Sequence, residues 1–239
     1  VPENLDWDMW CGPGPLRPFN SKMHPGGWRG FLDYANGTMG DWGVHWLDQV
    51  LWWSGQKGPK KVFCTGGRDV VGTAVLNDKE QTTDAPDHQV ATFEFEGFTA
   101  VWEHRKFAGN AAEKHQVGAY FYGDKGTLHI GWKDGWTFYP ADGKGEPIHG
   151  DNQLQEPEGD GHNIGALWAD FMDAIDKKRV PVADIESAHR SSCLPLLGMI
   201  SWRTGRSLQW DADKEQIIGD PEASKLLRRD YRGPWQYPV

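Results

Sequence analysis

Two residues four positions apart, Asp41 and His45, form the pair in this sequence best suited to chemistry. They lie in segment 40–54, whose apolar spacing predicts a helix that ends at Gly55 in a left-handed cap. Asp48 falls in the same arc of the helical wheel, about 60° wide. Most other positions of the segment are apolar, which predicts a helix buried everywhere except along this polar line. A carboxylate beside an imidazole fixes its tautomer and orientation, as a general acid or base requires.

The same pair also has a purely structural interpretation. Asp41 would then be an acidic residue near a helix N-terminus, where it suits the helix dipole, and His45 a core histidine bonded to a backbone carbonyl. The apolar surroundings and the glycines that bracket the start of the helix favour a lined cavity instead.

Composition limits the classes of function. The chain has 239 residues and a net charge of −9, which argues against partners such as nucleic acid or an anionic membrane surface. Short basic runs such as Arg228–Arg229 are predicted to be solvated. No segment is apolar enough to cross a membrane, so we expect a soluble protein, and the compartment stays open between cytoplasm and export. Three widely spaced cysteines form neither a disulfide framework nor a Cys-x-x-Cys metal pattern.

The remaining pattern predicts short strands followed by helices. Residues 1–36 lack periodicity and are read as a long irregular loop that leads into the helix at 40–54. Strands are predicted at 61–65, 89–96, 98–104, 118–122, 127–130, 136–139 and 207–210, and helices at 164–175 and from 184 or 185 to 205. Consecutive antiparallel hairpins with helices before and after them predict an α+β fold, a large mostly antiparallel sheet with helices packed on one face.

No Gly-x-Gly-x-x-Gly motif follows a strand and opens a helix, and no Walker loop is present. We therefore expect residues 1–239 to form one domain without a dinucleotide-binding fold of its own. No metal-ligand spacing stands out either, so no metal site is predicted.

Several ordered motifs resemble the Gfo/Idh/MocA family of NAD(P)-dependent oxidoreductases, in particular a bacterial branch whose C-terminal domain opens with a DWDLW-GPAP type of motif. They are NLDWDMWCGP at 4–13, RPFN at 17–20, WR at 28–29, GDWGVHWLD at 40–48, RVPVADIE at 179–186, GRSLQWD at 205–211 and LLRRDYRGPW at 226–235. The similarity extends over essentially the whole chain.

The resemblance implies the substrate-binding, catalytic and oligomerisation domain of such an enzyme, without its N-terminal Rossmann domain. In the family the Asp-x-x-x-His pair lies beside the nicotinamide and the reacting sugar carbon, which implies His45 as general acid/base and Asp41 as its assistant. The intact protein would use NAD or NADP and act on a sugar or sugar derivative. This chain alone is expected to be inactive, to bind no cofactor, and to form a homo-oligomer through its sheet.

Further residues are candidate substrate ligands. Indole rings pack on the C–H faces of sugars, and arginine offers a rigid fork of donors. The candidates are Trp10, Arg17, His24, Trp28, Arg29, Asp48 and His162. Each also has a structural alternative, such as a surface arginine or, for His162, a helix cap. Five other tryptophans are expected to fill the core or cover the sheet: Trp46, Trp53, Trp102, Trp168 and Trp202.

Three other functions fit the same residues. Some relatives oxidise a sugar transiently, eliminate a glycosidic substituent and reduce the sugar again; release of an aglycone without net NADH would mark this glycosidase or lyase. A non-enzymatic sugar-binding or assembly domain would show no turnover. A metal-dependent lyase would need ligand spacing that the sequence does not display.

Overall fold

The computed structural model describes residues 1–77, 80–110, 112–132, 134–143, 145–152 and 161–238, with the side chains of 161–163 left out of the description. The helices are α1 (Trp7–Cys11), α2 (Gly37–Ser54), α3 (Gly161–Lys177), α4 (Ile185–Thr204) and α5 (Pro221–Lys225), with a 3-10 helix at Gly27–Gly30. The strands are β1 (Lys61–Gly67), β2 (His88–Glu94), β3 (Thr99–Arg105), β4 (Gly118–Gly123), β5 (Gly126–Gly131), β6 (Trp136–Pro140), β7 (Ile148–Gly150), β8 (Leu208–Asp211) and β9 (Gln216–Ile218).

The strands form two antiparallel sheets, which confirms the predicted α+β class. Five strands pair in the order β3-β2-β1-β8-β9, and four in the order β4-β5-β6-β7. Contacts divide the chain into one compact unit of residues 1–108 and 189–239 and another of 109–188, whereas the sequence predicted one domain with one large sheet. The division follows the pairing, because β4 to β7 hydrogen-bond only with one another in the described ladders.

Helices α2 and α4 cover one face of the five-stranded sheet. The Ser201 hydroxyl of α4 accepts the Cys64 amide of β1 at 2.9 Å. A Cβ placed on Gly198 of α4 would lie 2.6 Å from Sδ of Met39, so the two helices are closely packed there. The hairpin β2–β3 shows the predicted alternation, since Ala91 and Phe93 are fully buried. The core of this unit therefore lies between the sheet and this helix pair.

Helix α2 corrects the expectation of a helix buried everywhere except along its polar line. It begins at Gly37, a turn earlier than predicted, and ends as predicted at Gly55, whose φ is +65°. Its buried positions form a single stripe: Gly37, Met39, Gly43, Trp46, Leu47 and Leu51. Trp52 is 84% exposed and Trp53 62% exposed, so Trp53 does not fill the core, which was one of the two roles expected for it. A helix that lies on a sheet buries one face. Apolar residues occur on both faces of α2, so they did not show which face is buried.

The segment 1–36 is not the irregular loop that its composition suggested. It contains α1 and the 3-10 helix and forms a small hydrophobic cluster of its own. The buried members of that cluster are Trp7, Cys11, Met23 and Phe31. Asp6 caps α1 by accepting the Met9 amide at 3.0 Å. Short helices of this kind lack the periodicity by which longer ones are recognised.

The second unit pairs β4 with β5 and β5 with β6 in the predicted hairpins. Helix α3 has the predicted helical spacing, but its apolar positions are exposed, and Trp168, expected in the core, is 61% exposed. Spacing identifies the apolar face of a helix without showing what covers it. Across the described residues, no helix has both the length and the apolar character to cross a bilayer.

Candidate active site

The exposed face of α2 carries the predicted catalytic pair. Asp41 is partly exposed and His45 is exposed, one helical turn further along. Gly43 lies about 200° around the helix from each of them. A Cβ on Gly43 would lie 3.1 Å from Cβ of Pro195, so this opposite side packs tightly against α4. The same close packing that buries one side of α2 therefore leaves the aspartate and histidine on the open side.

Arg29 and Asp41, both predicted site residues, form an ion pair. The Arg29 Nε donates to the Asp41 Oδ1 at 3.0 Å, and the guanidinium lies over the Trp28 ring at 4.6 Å from its centroid. The 3-10 helix Gly27–Gly30 supplies Trp28 and Arg29, so it reaches the first turns of α2. The pairing orients the carboxylate one turn from His45 and places an indole beside it.

Trp42 borders His45 on the same helix face. The two rings meet edge to face, with centroids 6.3 Å apart and planes at 75°. Trp42 is also exposed, which leaves an imidazole and an indole side by side on the open side of α2. Such a pair offers a proton-accepting nitrogen next to a flat apolar surface.

Asp48, the third polar residue on the predicted line, is held by α4. The Ser191 hydroxyl donates to its Oδ1 at 2.5 Å, and Ser191 is buried. This partner comes from 143 residues away in sequence, and no local pattern pointed to it. The hydrogen bond fixes α2 to α4 about one turn beyond His45.

Trp10 and His24 meet within the hydrophobic cluster of the N-terminal segment. Their rings are 5.9 Å apart at 77°, while Trp10 also stacks on Trp7 at 4.5 Å. Trp10 and Trp28 both pack at the edge of this cluster, partly buried. Two of the predicted ligands, Trp10 and His24, are thus brought together as a contact pair. Their use as substrate ligands stays a prediction.

Arg17 is engaged in a structural clamp. Its Nε donates to Asp33 at 2.6 Å and its Nη2 donates to Asp84 at 2.9 Å, with the arginine side chain largely buried. Burial lowers the pKa of the guanidinium, but the hydrogen bonds that it donates to Asp84 and Asp33 outweigh burial and raise it. The Arg17 carbonyl also accepts the Trp7 indole N–H at 2.7 Å. These contacts give Arg17 a role in holding the N-terminal segment together.

His162 lies in the first turn of α3, where the side chain is outside the described residues. Its predicted role as a ligand or a cap is therefore not placed by the geometry.

The C-terminal segment contacts this region in a way that sequence reasoning missed. Arg229 donates to the Asp33 carbonyl at 3.0 Å and to the Asn36 side chain at 3.0 Å, at the start of α2. Arg232 donates to Asp8 at 2.8 Å and to the Gly14 carbonyl at 3.1 Å. The basic run Arg228–Arg229 was expected to be solvated, and both residues are exposed; Arg229 also ties the tail to Asn36, the N-cap of α2.

A second acid–imidazole pair lies at the start of β2. Asp87 is buried and its Oδ1 lies 2.8 Å from His88 Nδ1. Burial raises the pKa of Asp87, but hydrogen bonds from His88 and from the amides of Val70 and Val71 outweigh it and lower the pKa. A small cavity opens here beside Lys106. Because the aspartate accepts two loop amides, it holds the loop at 68–72 to the sheet.

Comparison with known proteins supports one family. The family model of the C-terminal alpha/beta domain of the Gfo/Idh/MocA oxidoreductases matches residues 1–65 and 160–237. No curated protein matches the chain.

Solved structures share its fold. A levoglucosan dehydrogenase in complex with NADH and levoglucosan superposes with a TM-score of 0.61 at 15% identity, over 86% of this chain and 56% of that one. An oxidoreductase domain protein from Kribbella flavida superposes with a TM-score of 0.59 at 19% identity, over 89% of this chain and 56% of that one. An aldose-aldose oxidoreductase from Caulobacter crescentus complexed with glycerol superposes with a TM-score of 0.58 at 17% identity, over 81% of this chain and 52% of that one. At these identities the likeness establishes the fold, and the chain spans about half the length of each neighbour.

Proposed function

The chain belongs to the Gfo/Idh/MocA oxidoreductase family, matching its C-terminal alpha/beta domain, and we propose that it supplies the substrate-binding and proton-transferring half of an NAD(P)-dependent enzyme that acts on a sugar or sugar derivative. The single observation that carries the proposal is the open face of α2, where His45 lies one turn from an Asp41 that Arg29 holds in place. The sugar substrate is proposed because two structural neighbours are named for sugar chemistry.

His45 acts as the proton acceptor. Oxidising a sugar hydroxyl removes a proton from the oxygen and a hydride from the carbon, leaving a carbonyl. A neutral imidazole nitrogen of His45 takes the proton, and in the reverse direction the imidazolium returns it. Asp41 orients the imidazole, and Arg29 keeps the Asp41 carboxylate in position through its 3.0 Å contact. Trp28 and Trp42 offer indole faces to the apolar side of the sugar ring.

The nicotinamide cofactor fits the open face of α2 in chemical terms. Trp42 and His45 are exposed side by side, which suits a flat ring and a hydroxyl that must lie together. A bound nicotinamide would supply the acceptor for the hydride that leaves the sugar carbon. Its phosphates require a glycine-rich loop at a helix N-terminus, which we expect from a Rossmann domain outside this sequence.

Replacing His45 in the full-length protein tests the assignment. We expect His45→Ala to lower NAD(P)-dependent sugar oxidation by at least about a hundredfold with an unchanged melting temperature, because His45 is exposed and its loss removes a general base. The matched control is His149→Ala, another exposed histidine close to a carboxylate. Near wild-type turnover of a well-folded His45→Ala protein would falsify the proposal. Aglycone release without net NADH would assign the glycosidase outcome to the same site.

We further propose that the domain self-associates through the open face of its five-stranded sheet. Val101 of β3 and Val90 of β2 are exposed on this face, and Phe63 of β1 is exposed beside them in register with Thr92. An exposed sheet face that bears aliphatic and aromatic side chains is suited to packing against a second copy of the chain.

A further inference from the structure

Two histidines and an aspartate converge in the unit formed by residues 109–188, whereas Asp41 and His45 belong to the other unit. His115 precedes β4, His129 lies in β5, and Asp134 lies in the turn between β5 and β6. One ligand atom from each residue lies within 4.8 Å of the others. The His115 Nδ1 is 3.2 Å from the Asp134 Oδ2, and the two imidazole rings stack with centroids 3.7 Å apart.

The two buried Nε2 atoms of this cluster have no hydrogen-bond partner among the residues that the structure describes. His129 is 1% exposed, and its Nε2 has no partner within the described parts of the chain. The Nε2 of His115 is likewise buried without one. A buried polar atom without a partner is unfavourable and uncommon in folded proteins. The cluster therefore offers lone pairs that nothing described in the protein uses.

The backbone leaves room for these side chains through two glycines paired across the β4–β5 hairpin, Gly118 and Gly131. A Cβ on Gly118 would lie 2.5 Å from the His129 Nε2, and a Cβ on Gly131 would overlap the Asp134 carboxylate. Any larger residue at either position would displace the imidazole or the carboxylate. The hairpin is thus shaped around the cluster.

Solvent reaches the cluster through an open cleft. His115 and Asp134 line it together with Trp132. The neighbouring Lys114 points its ammonium to the Tyr139 hydroxyl, 2.8 Å away, and over the Tyr139 ring, so it has a partner other than the carboxylate. An ion could enter from solvent without the protein unfolding.

We propose that His115, His129 and Asp134 bind one divalent transition-metal ion of the zinc class, with water completing the coordination. Two imidazoles and a carboxylate are a ligand set that zinc uses, with three protein ligands and one open position. Magnesium and calcium prefer sites made of oxygen ligands, and copper(I) prefers sulfur. Binding requires the two rings, now stacked at an interplanar angle of 24°, to open so that both lone pairs point at one ion.

The ion would join three separate segments of one hairpin region. It links the loop before β4 to the β5 strand and to the β5–β6 turn, so it stabilises this unit by binding its folded form. The inference concerns residues outside the proposed proton-transfer site and stands whether or not His45 is catalytic.

Metal titration of the full chain tests the proposal. We expect calorimetry of the metal-free 239-residue chain with Zn²⁺ at neutral pH to show one ion per chain with a micromolar or lower Kd. Co²⁺ should give the visible absorption of a four-coordinate site with nitrogen ligands, and Mg²⁺ should not bind there. Zn²⁺ should also raise the melting temperature.

Three variants locate the site. His129→Ala and Asp134→Asn should each weaken Zn²⁺ binding by at least about tenfold. Asp134 is exposed, so its variant decides the matter if His129→Ala fails to fold. The control His149→Ala removes an exposed histidine 3.1 Å from Asp151 in the same unit and should leave Zn²⁺ affinity unchanged. Absence of one-to-one binding, or equal affinity of wild type and Asp134→Asn, overturns the proposal, as does loss of binding in His149→Ala.

Discussion

At the scale of single residues, the site depends on which charged groups hold one another in place. The i, i+4 spacing was enough to predict that Asp41 and His45 share a helix face. It could not predict that Arg29 pairs with Asp41 or that Ser191 binds Asp48, because both partners come from other elements. The cluster of His115, His129 and Asp134 was missed for the same reason. Thirteen residues separate His115 from His129 in the sequence, and the two meet only because the β4–β5 hairpin folds there.

Replacing Arg17 tests whether this residue stabilises the fold or serves as a substrate ligand. Arg17→Met should reduce the free energy of unfolding by about 2–4 kcal/mol, because it leaves the Asp33 and Asp84 carboxylates without their shared cation in a largely buried setting. Chemical denaturation measures this. The control is Arg206→Met, which also removes an arginine from two carboxylates, Asp220 and Glu222, but at the surface, and should cost less than about 1 kcal/mol. Equal effects in the two variants would count against the clamp.

At the scale of elements, the predicted strands and long helices were largely confirmed, because alternation and helical spacing are local properties of the chain. The short elements α1, β7, β9 and α5 were missed, since three to five residues carry too little periodicity. Which face of α2 is buried depended on the sheet and on α4, which the sequence of α2 does not contain.

The first residue of α2 positions the whole helix. Gly37 has a φ of +62°, and a Cβ there would lie 2.9 Å from the Cβ of Ala85. Gly37→Ala should therefore cost about 2–3 kcal/mol, combining left-handed strain with a steric clash. Gly55→Ala, with a φ of +65° and open space around it, should cost only the strain, about 1–2 kcal/mol. Urea unfolding of both variants measures these decreases in the free energy of unfolding. A larger decrease for Gly55→Ala than for Gly37→Ala would contradict the prediction.

Strand β3 carries a histidine that makes stability depend on pH. Burial lowers the pKa of His104 from 6.5 to about 4, helped by the nearby positive charge of Lys106. In the unfolded chain this histidine takes up a proton between pH 6.5 and 4, while in the folded chain it stays neutral. Stability should therefore fall as pH decreases through this window, by at most about 3 kcal/mol from this group.

His104→Gln should flatten that part of the pH profile. Glutamine keeps an acceptor for the Trp102 indole N–H, which donates to His104 Nδ1 at 3.0 Å, but it does not titrate. Urea unfolding at several pH values between 6.5 and 4 measures the slope. His149→Gln, at an exposed histidine, is the control and should leave the slope unchanged. If His104→Gln keeps the wild-type slope, another group is responsible.

At the scale of the whole molecule, the family and the α+β class could be predicted from ordered motifs and strand pattern, and both are confirmed. The division into two compact units could not, because it depends on which strands pair across long stretches of sequence. The exposed tryptophans of α2 also belong to this scale. Trp42 contacts the proposed catalytic histidine and Trp52 lies about two turns further along the helix; we expect the proposed cofactor domain to cover both.

Self-association should depend on the open sheet face. Val101 is 63% exposed there, and Val101→Lys should shift the chain towards monomer in light scattering, because a buried lysine at a sheet–sheet contact is unfavourable. Val180→Lys replaces a valine that is equally exposed in the second unit and should leave the assembly unchanged. A wild-type chain that stays monomeric at every concentration would contradict the proposal.

If the imidazole at position 45 takes the substrate proton, free imidazole should replace it in a protein that lacks His45. The full-length His45→Ala protein is assayed with its sugar substrate and NAD(P)⁺ while free imidazole is added in increasing concentration. We expect imidazole to restore turnover of His45→Ala in a saturable way, to leave the wild-type rate unchanged, and not to raise the rate of His149→Ala. A His45→Ala enzyme that turns over normally without imidazole, or that is inactive and folded but shows no rescue, would contradict this role of His45.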